Sequence, residues 1–409
     1  MINTNKRNLI ISIVFLLISF SIGGITIANN YKDILTSTYK TFKNADTNLN
    51  NRLVLTFEQA INTSNSVFNK NLAGLQFFIE GYGTTQLLLN KKIINDIDIG
   101  YMLKDEQGFL HFAGYKYDTK ANADKLAIMN DYFIETDIPF SFILALPKDY
   151  KGYTTFKKGI DIYANSNLNC DNFISGLNEN NIDYLDLRES ANKDNLNISD
   201  AFFKTDHHWK TETAFWAFKD IVNYINEKHG INLDENNFYT SLDNYKVETY
   251  QDRFLGSLGK RMGRIYSGID DYTFISPSFE TNLKLYQGFN KTLISEGSFN
   301  DTIVDKSLID IDSPVTTNRY ATYFSLDNDF NTIVNENAQN DYKILIIKDS
   351  YALPVAAFLS LSCKEVTMVD FRLSKEQSVK EFIHNNDYDL VLMLYGSGSI
   401  CNDNMFELK

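Results

Sequence analysis

Residues 9–28 (LIISIVFLLISFSIGGITIA) carry no charge. Twenty residues of helix span about 30 Å, the thickness of a bilayer core. Lys6 and Arg7 precede the run, and Asn29, Asn30 and Asp33 follow it. The positive-inside bias therefore places the chain from about residue 29 outside the cytoplasm. The run exceeds the apolar core of a cleaved signal peptide, so it predicts an uncleaved anchor. Thr26 and Ala28 are the small residues that a cleavage site would use instead. Nothing later matches this length, which predicts a single pass. From 30 to 75 the apolar positions are scattered (Leu53, Leu55, Phe57, Ala60, Ile61), as in a helix leaving the membrane.

Beyond Phe77 the pattern reads as an entry segment and short strands, with a turn at 104–108 between Tyr101 and Leu110. A regular alternation follows. A helix over 121–133 leads into the apolar run 138–147, whose strand is expected at 138–145, and a helix over 171–180 leads into 182–187. Nearer the C-terminus come a strand at 342–347, a helix at 352–361, a strand at 366–371, a helix at 375–385 and a strand at 390–395. Five short apolar strands alternating with helices predict an α/β fold whose parallel sheet is covered on both faces. Residues 235–335 break that rhythm with glycines and β-formers, and predict an irregular, β-containing insertion. The expected organisation is a cytoplasmic tip and transmembrane anchor (1–28), an extracytoplasmic helical entry region (29–118) and an α/β domain (119–409) holding the insertion.

Composition narrows the function. Hydrophobic residues at 44% and charged residues at 22% belong to a folded chain rather than a disordered one. Lys and Arg number 39 against 52 Asp and Glu, a net charge of −13. Neutralising phosphates needs a surplus of cations, so nucleic acid is excluded as a partner. Cys170, Cys363 and Cys401 are too few and too scattered for a disulfide framework or a zinc ribbon. One bridge at most is available, with Cys363 and Cys401 a weak candidate pair.

Two short strings carry chemistry. At 204–210 the chain reads KTDHHWK, just before a helix with Phe215, Phe218, Val222 and Ile225 on one face. In an extended loop residues i and i+2 point the same way, so Asp206 and His208 are neighbours and His207 points elsewhere. A carboxylate on the Nδ1 side of His208 fixes its tautomer and stabilises the imidazolium, as a general base requires. The plainer reading is a capping Asp beside two partly exposed histidines. At 348–351 the chain reads KDSY, placing Ser350 at the carboxyl end of a strand where a helix opens. Its own N–H is a free helix-start donor able to bind an oxyanion. The plainer reading here is an N-cap pair. Taken together, a serine, a histidine and an acid at one sheet edge form a nucleophile, a base and its orienter. A metal on Asp206, His207 and His208 would want further ligands, and His111, His229 and His384 lie in unpromising contexts. No metal and no cofactor are expected.

The string Asp206-His207-His208-Trp209 resembles the signature of the bacterial DHHW protein family. Followed by Asp349-Ser350, it resembles the SGNH-hydrolase-like polysaccharide O-acetyltransferases, typified by the periplasmic alginate acetylation proteins. In that group the motif order is circularly permuted, the Asp-x-His motif preceding the serine, as here. The resemblance runs from about residue 70 to the end and includes FLGSLG at 254–259 and VDFR at 369–372. It implies a three-layer α/β/α fold with Ser350 as nucleophile, His208 as base and Asp206 as orienter. It also implies a polysaccharide acceptor and a multi-pass membrane O-acyltransferase that supplies the acyl group. Two departures stand out: Lys348 replaces the glycine expected before Asp-Ser, and Tyr395-Gly396-Ser397-Gly398 stands where a Gly-x-Asn-Asp block is usual. Arg372 and Tyr395, ending neighbouring strands, are candidate oxyanion partners. Trp209 is a candidate for stacking on a sugar, or else closes the Asp-His loop onto the sheet. Other functions compatible with these residues are a secreted carbohydrate esterase and a non-catalytic scaffold or glycan-binding subunit of an envelope complex.

Overall fold

KILIIK and LVLMLY do not alternate with polar residues because both faces of their sheet are covered. The computed structural model describes residues 4–43, 52–150, 152–325, 327–374 and 378–407. The chain divides into two units, Met1–Thr85 and Gln86–Lys409.

In the first unit α1 (Thr4–Lys43) runs beside α2 (Arg52–Lys70), and α3 begins at Leu75 (Leu75–Leu88). Hydroxyl pairs join the two long helices: Thr38 to Ser64 at 2.7 Å and Thr41 to Thr63 at 3.1 Å. The Ala73 N–H then donates to Thr26 Oγ1 at 3.0 Å, so the pair is antiparallel. Among the described residues α1 is the helix long and apolar enough to cross a membrane.

The second unit opens with a small antiparallel sheet of β1 (Ile93–Asp96), β2 (Gly100–Lys104) and β3 (Leu110–Phe112). Among the described residues its main sheet has eight strands. β5 (Tyr184–Asp186), β4 (Phe140–Leu144), β13 (Leu390–Tyr395), β11 (Lys343–Lys348) and β12 (Glu365–Val369) are adjacent in that order and parallel, as the alternation predicts. The insertion does more than interrupt the domain. β10 (Phe330–Asn335), β8 (Leu283–Gln287) and β9 (Thr292–Gly297) extend the sheet antiparallel beyond β12, while β6 (Tyr245–Phe254) pairs separately with β7 (Asp270–Pro277), the short helix α7 (Gly259–Ser267) lying between those two in the chain.

Alternate residues of the parallel strands feed two cores, making three layers. Ile344, Ile346, Leu392 and Val366 pack under α6 (Thr211–His229) and α8 (Ala352–Ser362). Leu345, Ile347, Met393 and Phe142 pack under α4 (Thr119–Glu135), α5 (Ser166–Glu179) and α9 (Val379–His384). Every residue of α8 is buried, and Pro354 is tolerated because it lies in the first turn, where N–H groups have no helical acceptor. The helix expected over 375–385 is found from Val379; residues 375–377 lie outside the described residues. All three cysteines are free thiols, so the pairing of Cys363 with Cys401 is not formed.

Candidate active site

The loop before α6 is pinched shut at its base. Phe202 bridges to Trp209, and the carboxylate of Asp270 accepts from the N–H groups of Lys204 and Thr205 and from Thr205 Oγ1. Inside the pinch, His208 Nδ1 meets Asp206 Oδ1 at 2.6 Å and His208 Nε2 meets Ser350 Oγ at 2.7 Å. Ser350 sits where β11 ends and α8 begins, at the carboxyl edge of the sheet. The structure thus brings together the three residues that the two strings nominated.

Asp206 is buried, which by itself raises a carboxyl group's pKa. The charges of His208 and His207, the His208 hydrogen bond and the Ser257 N–H outweigh that and hold it well below the usual range. The Ser257 N–H reaches Asp206 Oδ2 at 2.6 Å because residue 256 is glycine: a Cβ there would lie 2.3 Å from the Asp206 Cβ. From the other side Lys148 Nζ donates to the Asp206 carbonyl at 2.6 Å and to those of Leu110 and Lys204. Burial pulls the Lys148 ammonium down to about 8, against the opposing charges of Asp270, Asp206 and Asp105.

His207 does not point elsewhere. The loop bends instead of extending, so the His207 ring lies 3.7 Å from that of His208, with Nδ1 3.1 Å from Ser257 Oγ. Desolvation and the neighbouring His208 charge depress its basicity. Tyr320 stacks on the opposite face of His208 at 3.7 Å, and its hydroxyl donates to the Ser350 carbonyl at 3.0 Å. The Tyr351 hydroxyl donates to the His207 carbonyl at 2.7 Å. The base is held between two rings.

The remaining candidates separate. Trp209 is fully buried, edge-on to Tyr351 at 5.2 Å, and closes the loop; it has no surface to offer a sugar. Tyr395 is also fully buried, and its hydroxyl donates to the Met405 carbonyl at 3.0 Å, away from Ser350. Tyr395 thus does not serve as an oxyanion partner, and Trp209 takes the second of its two expected roles, closing the Asp-His loop, because each side chain belongs to a core. Arg372 does line the cleft, with its guanidinium held by Asp370 and Asp327. Lys348, the residue in place of glycine, is buried and paired with the same two carboxylates, which keep its charge neutralised beneath the serine turn. Asp349 accepts from the Gly396 N–H, Ser399 Oγ and the Tyr351 N–H, fastening the loop after β13 beside Ser350. Its burial raises its pKa.

Ser350, Arg372 and that loop open onto a cleft of about 460 Å³ that extends past Asn169 to His111. The Ser350 N–H has no acceptor among the described residues, leaving it free for an oxyanion. Donor atoms of Asp206, His207 and His208 lie within 4.8 Å of one another, as a cation would need. Both ring nitrogens of His208 are engaged by Asp206 and Ser350, an arrangement suited to moving a proton.

Tyr320, Tyr351 and Lys148 were not singled out by sequence. Tyr320 lies in the irregular insertion, which has no period to read. Lys148 did leave a signal, as a lysine four residues past the end of β4, at the carboxyl edge of the sheet where sites form.

Residues 161–255 match the family model described as ALGX, SGNH hydrolase-like domain, acetyltransferase AlgX. No curated protein matches the chain. Among solved structures the chain is similar to Bacillus cereus PatB1 with a sulfonyl adduct, at a TM-score of 0.61 and 23% identity over 77% of this chain and 100% of that one. It is also similar to a DHHW family protein from Eubacterium siraeum, at a TM-score of 0.54 and 19% identity over 77% of this chain and 97% of that one. The string at 206–209 lies inside the matched segment, and the chain has an SGNH-like α/β fold similar to those of the PatB1 and DHHW proteins.

Proposed function

We propose that this protein is an O-acetyltransferase acting outside the cytoplasm on a cell-surface or exported polysaccharide, through an acyl-Ser350 intermediate. The observation that carries the reading is the unbroken relay from Asp206 through His208 to Ser350 Oγ, opening onto a cleft. Ser350 Oγ attacks the acetyl carbonyl carbon while His208 Nε2 takes the hydroxyl proton; the bond to the donor oxygen breaks and His208 returns the proton to it. A sugar hydroxyl then repeats the exchange, losing its proton to His208 and releasing Ser350. Asp206, ionised throughout, stabilises the imidazolium at each step. The Ser350 N–H is the oxyanion donor in this scheme, and Arg372 faces the cleft beside it.

Donor supply follows from location. With α1 as a single-pass anchor and Lys6 and Arg7 inside, the domain works where acetyl-CoA is absent. A multi-pass membrane O-acyltransferase that exports the acyl group fills that need, and the likeness to an AlgX acetyltransferase domain supports the transfer reading.

The test uses the purified chain with an activated acetyl ester and an oligosaccharide acceptor. Ser350 should gain one acetyl group and pass it to the glycan in preference to water. Acetate release that ignores the acceptor would make the protein an esterase. Absence of acylation, with Ser350→Ala still restoring polysaccharide modification in cells, would make it a scaffold.

A further inference from the structure

We infer that the start of α3 is a membrane-surface helix, laid on the same bilayer face from which α1 emerges. Its exposed face is the wrong one for water. Apart from Gln76, which is exposed outside the stripe and bonds to Glu80, exposure falls on Phe77, Phe78, Gly81, Tyr82 and Thr85, one stripe at helical spacing, and Phe77 is 76% exposed. Glu80, the single carboxylate or cation between Leu75 and Thr85, lies on the half-buried side. A water-facing helix carries its polar residues on such a stripe, whereas aromatic rings there suit the headgroup boundary of a bilayer.

The first unit's own packing identifies the occupant. The N–H of Ala73 is bonded to Thr26 Oγ1, and the Asn30 side chain reaches the Asn71 carbonyl. Thr26 is two residues inside the outer end of the uncharged run 9–28 and is fully buried by this contact. α1 continues outward: Thr41, which meets Thr63, lies about 22 Å further along its axis. The chain therefore climbs away from the bilayer on α1, returns on α2 and arrives at residues 71–74 beside the end of the span. Leu75 starts α3 there, at the depth where lipid headgroups meet acyl chains. This rests on residues 9–28 spanning the bilayer and is independent of the chemistry at Ser350.

The full-length chain, carrying a benzophenone amino acid at Phe77 or at Gln59, is reconstituted in vesicles of phosphatidylethanolamine and phosphatidylglycerol and irradiated. Gln59 is exposed on α2 near the far end of the hairpin. The expected result is a lipid adduct at position 77 and none at position 59. Failure of the protein to float with the vesicles would remove the span and the proposal with it. No lipid adduct at 77, equal adducts at both positions, or crosslinking to a second copy would overturn the surface helix while leaving the span intact. In cells, crosslinking of position 77 to another membrane protein in place of lipid would overturn it as well.

Discussion

Of the histidine–carboxylate pairs Asp206–His208 and Asp105–His111, which lie near the same cleft, the first is joined to a nucleophile and the second is not. Asp206 and His208 are two residues apart in a bent loop, and the far nitrogen of the imidazole meets Ser350 Oγ. Asp105 and His111 are six apart across the turn between β2 and β3, joined at 2.9 Å through Nε2. Both are buried, and His111 Nδ1 has no partner among the described residues. Asp105 also accepts from the Phe109 N–H, so it braces a turn. A buried carboxylate on an imidazole is thus not by itself a catalytic feature. What separates the pairs is the second nitrogen: one has a serine at a helix start, the other has nothing to deprotonate.

The largest effects should come from cutting the first pair's relay. Ser350→Ala and His208→Ala should each lower turnover of an activated acetyl ester by about three orders of magnitude or more, because such residues act as a unit. Asp206→Asn should follow with a loss of about a hundredfold to ten-thousandfold, the imidazole being left without its orienting charge. A sulfonyl fluoride, the reagent class suited to an activated serine, should modify the wild type at Ser350 with loss of fluoride and leave His208→Ala untouched. Comparable loss of turnover in Asp105→Asn, measured per folded molecule, would erase the distinction between the pairs.

Gly256→Ala tests how the working pair is held. The added methyl cannot fit 2.3 Å from the Asp206 Cβ, so either Asp206 or the 256–257 backbone must move and the Ser257 N–H bond to Asp206 Oδ2 lengthens. Overpacking of this kind costs about 1–3 kcal/mol of stability, and a displaced orienter should lower turnover with KM little changed. A fully active Gly256→Ala would show that the close approach is not needed. Tyr320→Phe keeps the ring against His208 and removes the hydroxyl from the Ser350 carbonyl. Loss of one such bond is worth about 1 kcal/mol, roughly a fivefold fall in turnover at most.

How much of this was legible follows from where the information lies. The five parallel strands could be read because each is a short, mainly apolar run that alternates with a helix, KILIIK and LVLMLY being apolar throughout their interiors as a doubly covered sheet demands; their ends moved by a few residues. β8 could not, since LKLYQ alternates and its partners are 40 or more residues from it in β10 and beside it in β9. The triad was readable from two local strings plus the rule that sites gather at the carboxyl edge of such a sheet. Their surroundings were not: whether Tyr395 faces the cleft or the core depends on Met405, and His207 turns inward because the loop departs from strand geometry. His111 looked unpromising in sequence because its carboxylate lies across a turn, and its pairing appears only once β2 and β3 close.

The smallest effect should distinguish the pairs by pH. Burial lowers the basicity of His111 more than the Asp105 hydrogen bond raises it. Neutral His111 donates through Nε2 to Asp105 and leaves a bare lone pair on Nδ1, whereas protonation would create a buried N–H with no acceptor. Below the ordinary histidine value of about 6.5 the unfolded chain therefore binds more protons at this site than the folded one does. Stability from His111 is complete above about pH 6.5 and is lost as pH falls toward its folded value, by about 1.4 kcal/mol for each unit of depression. Asp206, held low, contributes in a different window: its stability is present above the ordinary carboxylate value of about 3.9 and disappears only as pH falls through its lower folded value. Urea unfolding of wild type and His111→Gln between pH 4.5 and 8 should show a decline on acidification that is weaker in the variant, because His207 still contributes to it. The pH profile of ester turnover, taken where both proteins are folded, should superimpose. A shifted turnover profile in His111→Gln would mean that the second pair exchanges protons with the first across the cleft, and the two could no longer be treated as separate devices.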